Sequence, residues 1–375
     1  PFSVSDLVGE AAIDGGGPGR ELFSQLIEEL MNNHIGVFTF NANRRHKAKE
    51  TNQEDLIPNT QDINKSLETS ENDEFEVNED MAALLRKRFI YAGALIACTI
   101  VSGLPQPMKL SSIVWEYLAH EEVSINSVYD IDNSFKELME TAEDIQKRVL
   151  SNSINEEEFK QLFLHVFEIN DSFNNAIELI PSGSSTKVTK ENLHEFIELA
   201  KNKRLHEFDD QLKDLKEGFD KIMTHKNITK ILRPHELKLL VCGEPNCDVE
   251  QMKKLIVIKV SDSDNSDKMK TIFWNVMKSF SVDERMLFIR FSSGNLGLPA
   301  PGLKWEDNIQ VDVMSKDEKE KEGKNMVFAH TCFSRIDVPY YENEEELAKM
   351  LRVAIKFSGL ITDSHENIEE IADYL

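Results

Sequence analysis

The pattern of apolar residues changes once along the chain, near Cys242, and this change most constrains the fold. From 81 to about 240, apolar residues recur at the spacing of amphipathic helices, which predicts a mainly helical region. After Cys242, short runs rich in β-branched residues alternate with helical segments, which predicts an α/β region. We therefore expect an α+β chain whose helices and strands are unevenly distributed.

Several local signals place elements in the second region. The run LIVIKV at 255–260 is typical of a short strand, and VFAHTCFSRIDV at 327–338 predicts a β run. A serine or asparagine three positions before a glutamate is typical of a helix start. The pairs Ser281 with Glu284 and Asn343 with Glu346 therefore predict that helices begin at these two places. In the first region, IELIPSGSSTKVT at 177–189 predicts a strand, a turn and a second strand.

Residues 41–80 differ from their surroundings because they are polar, acidic and poor in aromatic side chains. Such a segment buries too little apolar area to offset the entropy of ordering it, so we expect a disordered insertion. A recognition tail is the alternative, although an ordinary surface loop is the simpler interpretation. The apolar segment 81–103 that follows is expected to form a helix in the core.

The charge of the chain excludes some classes of partner. It carries 67 acidic against 43 basic residues, a net charge of -24, which disfavours nucleic acid and anionic membranes and suits a partner with a basic face. The longest apolar run, at 89–101, is shorter than the ~20 residues that cross a bilayer. Because the chain begins at Pro1 rather than at Met, we expect a fragment of a longer protein.

Four cysteines are too few for a disulfide framework in a chain of 375 residues, so we expect reduced thiols and a cytoplasmic or nuclear protein. Cys242 and Cys247 lack a second pair at zinc-ligand spacing. The loop DGGGPGR at 14–20 lacks the lysine of a phosphate-binding loop. We therefore expect no cofactor and no metal.

Cys332 is the candidate nucleophile. His330 precedes it by two residues in the predicted β run, so alternation would place both side chains on one face of a sheet. A nearby imidazole favours the thiolate, which is the reactive form of cysteine. On these residues alone, a half-buried structural cysteine is the simpler interpretation.

A resemblance strengthens the case for Cys332. The sequence AHTCFSRIDVPYY, followed by the helix EELAKMLRVAI, resembles the acceptor-cysteine signature of HECT-type ubiquitin ligases, which usually reads LPxAHTCFNRLDLPPY. Five other segments resemble the family in the same order: VGEAAIDGGGPGRELF, YAGALIACTIVSG, ELIPSGSSTKVTKENLHEF, HELKLLVCGEPNCDVEQM and IFWNVMKSFSVDERMLFIRFSSGNLGLPAPGL. The similarity covers most of 7–357, apart from 41–80.

The resemblance implies a bilobal HECT fold and a mechanism. A large, mainly helical N-lobe at 1–246 would dock a ubiquitin-conjugating enzyme through a subdomain near 125–222. A smaller α/β C-lobe at 247–375 would carry Cys332, with a hinge near 243–250 between the lobes. Cys332 would accept ubiquitin as a thioester and pass it to a lysine of a protein substrate, with Thr331 and His330 shaping the site.

The sequence departs from the family pattern at several positions. Met326 and Val327 replace the usual Leu-Pro, Gly297 stands at a position of arginine, and Ala94 replaces an arginine of the helical region. Leu360 or Ile361 stands where the family often has phenylalanine near its terminus. The alternative is therefore a catalytically weak or inactive HECT fold that acts as a protein-binding module.

Overall fold

The structure is a computed structural model that describes residues 17–32, 35–49, 51–61, 79–223, 231–244, 247–262, 264–295, 297–300 and 308–357. The loop at 14–16, most of the 62–80 part of the predicted insertion and the positions 359–361 lie outside the described residues. The chain divides into two compact units. The helical unit comprises Glu29–Cys98 and Met108–Lys238, and the sheet unit comprises Pro1–Glu28, Thr99–Pro107 and Leu239–Leu375.

Helices and strands both contribute, so the α+β class is confirmed. The helices are Gly17–Leu30 (α1), Ala42–Arg45 (α2), Glu79–Ser102 (α3), Ser112–His120 (α4), Ile125–Ile131 (α5), Asn133–Leu150 (α6), Glu156–Leu162 (α7), Leu193–Leu205 (α8), Asp209–Ile222 (α9), Pro234–Cys242 (α10), Val249–Leu255 (α11), Ser266–Ser279 (α12), Val282–Ser293 (α13), Lys316–Glu322 (α14) and Glu344–Phe357 (α15). The strands are Phe38–Phe40 (β1), Leu56–Pro58 (β2), Glu168–Asn170 (β3), Ala176–Glu178 (β4), Ile256–Val260 (β5), Ile309–Val313 (β6), Phe328–His330 (β7) and Arg335–Val338 (β8). None of the helices described combines the length and apolar character that a bilayer crossing needs.

Two glycines allow α3 and α9 of the helical unit to approach closely. A Cβ atom added at Gly93 would lie 1.8 Å from the Leu215 carbonyl oxygen, and one at Gly218 would lie 1.7 Å from the Ile90 carbonyl oxygen. These distances are far below van der Waals contact, so no larger residue fits without moving the backbone. The helix predicted at 81–103 is present and contributes Phe89, Ile96 and Ala97 to the core, although Tyr91 on its other side is 66% exposed.

Residues 41–49 and 51–61 are ordered, which differs from the disordered insertion expected at 41–80. Asn41 caps α2 and donates to the carbonyl groups of Asn52 and Asp55. Asn43 donates to the carbonyl groups of Asn52 and Asp130 and is buried. The segment then pairs through β2 with β1. Polar side chains are buried here because their amides are hydrogen-bonded, a situation that composition alone does not reveal.

The strand-turn-strand predicted at 177–189 forms only in part. Its first strand, β4, pairs with β3 in antiparallel register, with Ile169 opposite Ile177. The turn contains a 3-10 segment at Gly183–Ser185, but the second strand is reduced to a single bridge between Val166 and Lys187.

A buried ion network joins several segments of the helical unit. The Arg204 guanidinium, with 1% of its side chain exposed, donates to Asp132 at 2.9 Å and to Glu207 at 2.7 Å. It also donates to the Asn170 carbonyl and the Ser172 hydroxyl. Asp132 caps α6, and Glu207 accepts from the Ser172 backbone. Every polar atom named here has a partner, which is the condition under which buried charge is tolerated.

The sheet of the sheet unit has the strand order β5-β6-β8-β7. Strands β5, β6 and β8 are parallel, and β7 pairs antiparallel with β8. The sequence IQVDV of β6 alternates, so Ile309, Val311 and Val313 are buried on one face. Helices α12, α13 and α15 share a hydrophobic core with that face.

The helix starts predicted from capping pairs in this unit are confirmed. Ser281 and Glu284 form a capping box at α13. The Asn343 side chain accepts from the Glu346 backbone at 3.0 Å at the start of α15. The predicted apolar stripe of α15 is buried, with Met350 only partly so, and consists of Leu347, Met350, Leu351, Ala354 and Ile355.

We predict that Arg204→Ala destabilises the protein by about 3–5 kcal/mol, because it leaves the Asp132 and Glu207 carboxylates buried without a counter-charge. Burial raises the pKa of Glu207 whereas Arg204 lowers it, so loss of Arg204 raises this pKa further. A carboxyl whose pKa is raised by folding stabilises the fold at low pH and loses that contribution as pH rises. The deficit should therefore be larger at pH 8 than at pH 5, as measured by urea unfolding.

The control is Arg86→Ala, which removes an exposed arginine that pairs with Asp214 and Glu217. Exposed pairs contribute little, so its unfolding midpoint should stay close to that of the wild type. Equal losses in the two variants would contradict the assignment of the Arg204 network as a stabilising element.

Candidate functional site

Cys332 lies in a tight turn between β7 and β8. Strand β7 ends at His330, a 3-10 turn covers Thr331–Phe333, and β8 begins at Arg335. The single β run predicted at 327–338 is therefore interrupted, and strand alternation does not extend from His330 to Cys332. The orientation of the Cys332 side chain itself lies outside the described residues.

Ser334 closes this turn. Its φ of +46° is in the left-handed region, and its N–H donates to the Thr331 carbonyl at 3.2 Å. Its own carbonyl accepts from the Gln310 N–H of β6 at 2.8 Å, and the residue is buried. The end of the turn is thus fixed to the sheet through its backbone.

Helix α13 supports the other side of the turn. It packs against β7 and against Thr331–Phe333, and it ends at Gly294 with φ of +72°. A Cβ added at Gly294 would lie 3.7 Å from the Thr331 Cβ, so the helix end and the turn are near neighbours. The backbone around Cys332 is therefore held next to the C-terminal end of α13.

The residues on either side of Cys332 reach the surface. Phe333 is 64% exposed, although its side chain is large and apolar. His330 is also exposed, and Thr331 is half-buried. The turn that contains Cys332 is therefore flanked by exposed side chains.

Charged side chains lie beside the turn on the exposed face of the sheet. His330 Nε2 lies 3.1 Å from Asp337 Oδ2. The Arg335 guanidinium lies 3.0 Å from the Asp337 carboxylate and 2.7 Å from the Asp312 carboxylate. The structure thus brings His330, which was predicted to shape the site, close to Asp337 and Arg335, which were not predicted. Alternation in β8, which places Arg335 and Asp337 on the same face of the strand, could have identified them.

The departure at Gly297 has a steric reason. A Cβ there would lie 2.8 Å from the Cys242 carbonyl oxygen and 3.3 Å from the Pro105 carbonyl oxygen. No side chain fits beside these atoms unless the backbone moves. Of the other departures, Val327 is buried and Ala94 is half-buried.

Two other cysteines are unsuited to nucleophilic chemistry. Burial raises the pKa of the Cys247 thiol to about 11 and also raises the pKa of Cys98. Both groups remain thiols at neutral pH, and a thiol is a weak nucleophile. Within the described ranges, no group of three or more His, Cys, Asp or Glu side chains could hold a metal ion.

Comparison with known proteins gives the family. The model of the HECT-domain (ubiquitin-transferase) family matches residues 24–360. The chain is 27% identical to the E3 ubiquitin-protein ligase HERC2 of Mus musculus over 96% of its length, and 26% identical to the E3 ubiquitin-protein ligase Nedd-4 of Drosophila melanogaster over 94%. These alignments cover only 7% and 32% of the two relatives.

We predict that Cys247 resists alkylation in the folded protein because it is buried and its thiol is protonated. Iodoacetamide should be added at pH 7.5, and modification of each cysteine should be followed by peptide mass spectrometry. The same treatment in denaturant should modify Cys247 fully and serves as the control. Rapid modification of Cys247 without denaturant would show that this part of the core is not packed as described.

Proposed function

The chain belongs to the HECT family of ubiquitin transferases, and on that basis we propose that Cys332 accepts ubiquitin as a thioester and passes it to a lysine of a protein substrate. The observation that carries this proposal is the family match across 24–360 together with the surface turn around Cys332. The chain spans only 7% and 32% of the length of the two relatives.

The proposed chemistry has two transfers. The Cys332 thiolate attacks the thioester carbonyl that joins ubiquitin to the conjugating enzyme, and the thiolate of that enzyme leaves. One thioester is exchanged for another of similar energy. An uncharged lysine amine then attacks the new thioester, forms an isopeptide bond and releases the Cys332 thiolate. Covalent catalysis of this kind divides one transfer into two easier steps.

We also propose the bilobal arrangement for this chain, with an N-lobe at 1–246, a C-lobe at 247–375 and a hinge near 243–250. The two transfers have different partners, so the lobe that carries Cys332 must change position between them. The sheet unit contains the whole of the proposed C-lobe, together with 1–28, 99–107 and 239–246 of the proposed N-lobe. Gly243, with φ of +75°, ends α10 where the proposed hinge begins.

The subdomain near 125–222 is the proposed docking site for the conjugating enzyme. Its segment at 150–164 holds three exposed leucines: Leu150 at 77%, Leu162 at 50% and Leu164 at 78%. Phe159 and Phe163 of the same segment are buried and anchor it. Several exposed apolar side chains on one segment are a candidate protein-binding patch.

We predict that the domain forms a ubiquitin adduct when it is incubated with charged conjugating enzyme, and that reducing agent removes the adduct. Non-reducing gels with labelled ubiquitin are the measurement. Cys332→Ala should abolish the adduct, and Cys332→Ser should give an oxygen ester that resists thiols. Cys98→Ala makes the same change at a cysteine far from the turn in sequence and should load like the wild type.

No adduct on wild-type protein that still binds the conjugating enzyme would favour the alternative, a HECT fold that serves as a protein-binding module. The departures at Met326 and Val327 next to β7 are the observation behind this alternative. An adduct that survives in Cys332→Ala would assign the acceptor to another residue.

We predict that Leu164→Asp lowers the loading rate about 10- to 100-fold at limiting conjugating enzyme, as expected when a central apolar contact is lost. Raising the enzyme concentration should restore loading, since the acceptor turn is unchanged. Ile231→Asp places the same charge at another residue of the helical unit, 80% exposed and outside 125–222, and is the control. Equal loading by the two variants would remove Leu164 from the docking surface.

A further inference from the structure

We propose that His330 accepts the proton of the amine that attacks the thioester, and that Asp337 and Arg335 are positioning residues that hold its imidazole for this step. This inference rests on the proposed function of Cys332. It concerns the second transfer, in which an amine replaces the sulfur.

The register of the hairpin brings the three side chains together. His330 is opposite Arg335, and Phe328 is opposite Asp337, so Asp337 lies diagonally across from His330. Diagonal neighbours on one face of a sheet are within reach of long side chains. The 3.1 Å separation of His330 Nε2 and Asp337 Oδ2 is a hydrogen-bond distance.

The Asp337 carboxylate selects one tautomer of the imidazole. A carboxylate only accepts hydrogen bonds, so Nε2 carries the hydrogen that is donated to Oδ2. In the neutral ring, Nδ1 then has the free lone pair and can accept a proton. A histidine held in this way by a carboxylate is a recurrent arrangement for general-base catalysis.

Arg335 fixes the carboxylate in turn. Its guanidinium donates to Asp337 Oδ1, which leaves Oδ2 for the histidine. The same guanidinium pairs with Asp312 of β6, whose carboxylate also accepts from Gln310. The Lys324 ammonium, paired with Glu322, adds positive charge near Asp337. Asp337 is only 14% exposed, so solvent competes little for its oxygens.

The step balances without any further reactant. The lysine nitrogen forms a bond to the thioester carbonyl carbon while the carbon–sulfur bond breaks. The electron pair of that bond leaves on the sulfur of Cys332, which becomes a thiolate. The proton lost by the nitrogen goes to His330 Nδ1 and from there to water. His330 is exposed and lies two residues before Cys332, at the start of the turn.

The test separates proton transfer from structural support. Wild type and Asp337→Asn are first loaded with ubiquitin to the same adduct level, freed of the conjugating enzyme, and then mixed with free lysine or with hydroxylamine. Both amines attack in the uncharged form and then lose a proton. The nitrogen of lysine is strongly basic and keeps that proton until a base removes it, whereas the weakly basic nitrogen of hydroxylamine releases it to water. We expect the ratio of lysine to hydroxylamine discharge rates to fall by roughly 10- to 100-fold in Asp337→Asn, as general-base catalysis predicts.

Two variants complete the experiment. Asp337→Glu keeps a carboxylate on the same strand and should recover part of the ratio. Asp264→Asn makes the same amide substitution at an exposed aspartate before α12 and should give the wild-type ratio.

The outcomes are distinct. An Asp337→Asn protein that discharges both amines at wild-type rates, or slows both equally, overturns the inference and leaves the role of Cys332 intact. Wild-type protein that never loads ubiquitin overturns the proposed function, and this inference with it.

Discussion

The backbone hydrogen bonds of β6 are the constraint on which the candidate site depends. This strand pairs in parallel with β5 on one side and β8 on the other. Its Gln310 N–H reaches the Ser334 carbonyl, one residue before β8 begins, and so fixes the end of the turn that contains Cys332. The hydrophobic core under β6 makes this pairing costly to break, because Ile309, Val311 and Val313 would lose their burial.

Local sequence signals predicted the parts of the fold that local interactions determine. The capping pairs before α13 and α15 and the strand β5 were recognisable because each depends on neighbours within a few residues. The order of 41–61 was missed because it depends on Asn43 reaching Asp130, 87 positions away. A prediction of disorder that uses only the polarity of neighbouring residues cannot take account of a contact between such distant positions.

The site was predictable only in part. The spacing of His330 and Cys332 pointed to these two residues, and the resemblance strengthened the choice and added Thr331. The turn between β7 and β8 contains no glycine or proline that would have indicated it. Ser334 takes the left-handed conformation that a glycine or asparagine would have signalled. The pairing of Asp337 with His330 and Arg335 required the strand register, which no pattern within one strand supplies.

The alternation of β6 and β8 also limits how this sequence can diverge. Substitutions on the exposed face exchange one polar side chain for another and leave the core intact. Insertion or deletion of a single residue within either strand is different in kind, because it moves every following side chain to the opposite face. Asp312 and Asp337 would then enter the core while Val313 and Val338 faced water. Evolution of this region should therefore proceed by replacement, with length changes confined to the connections between strands.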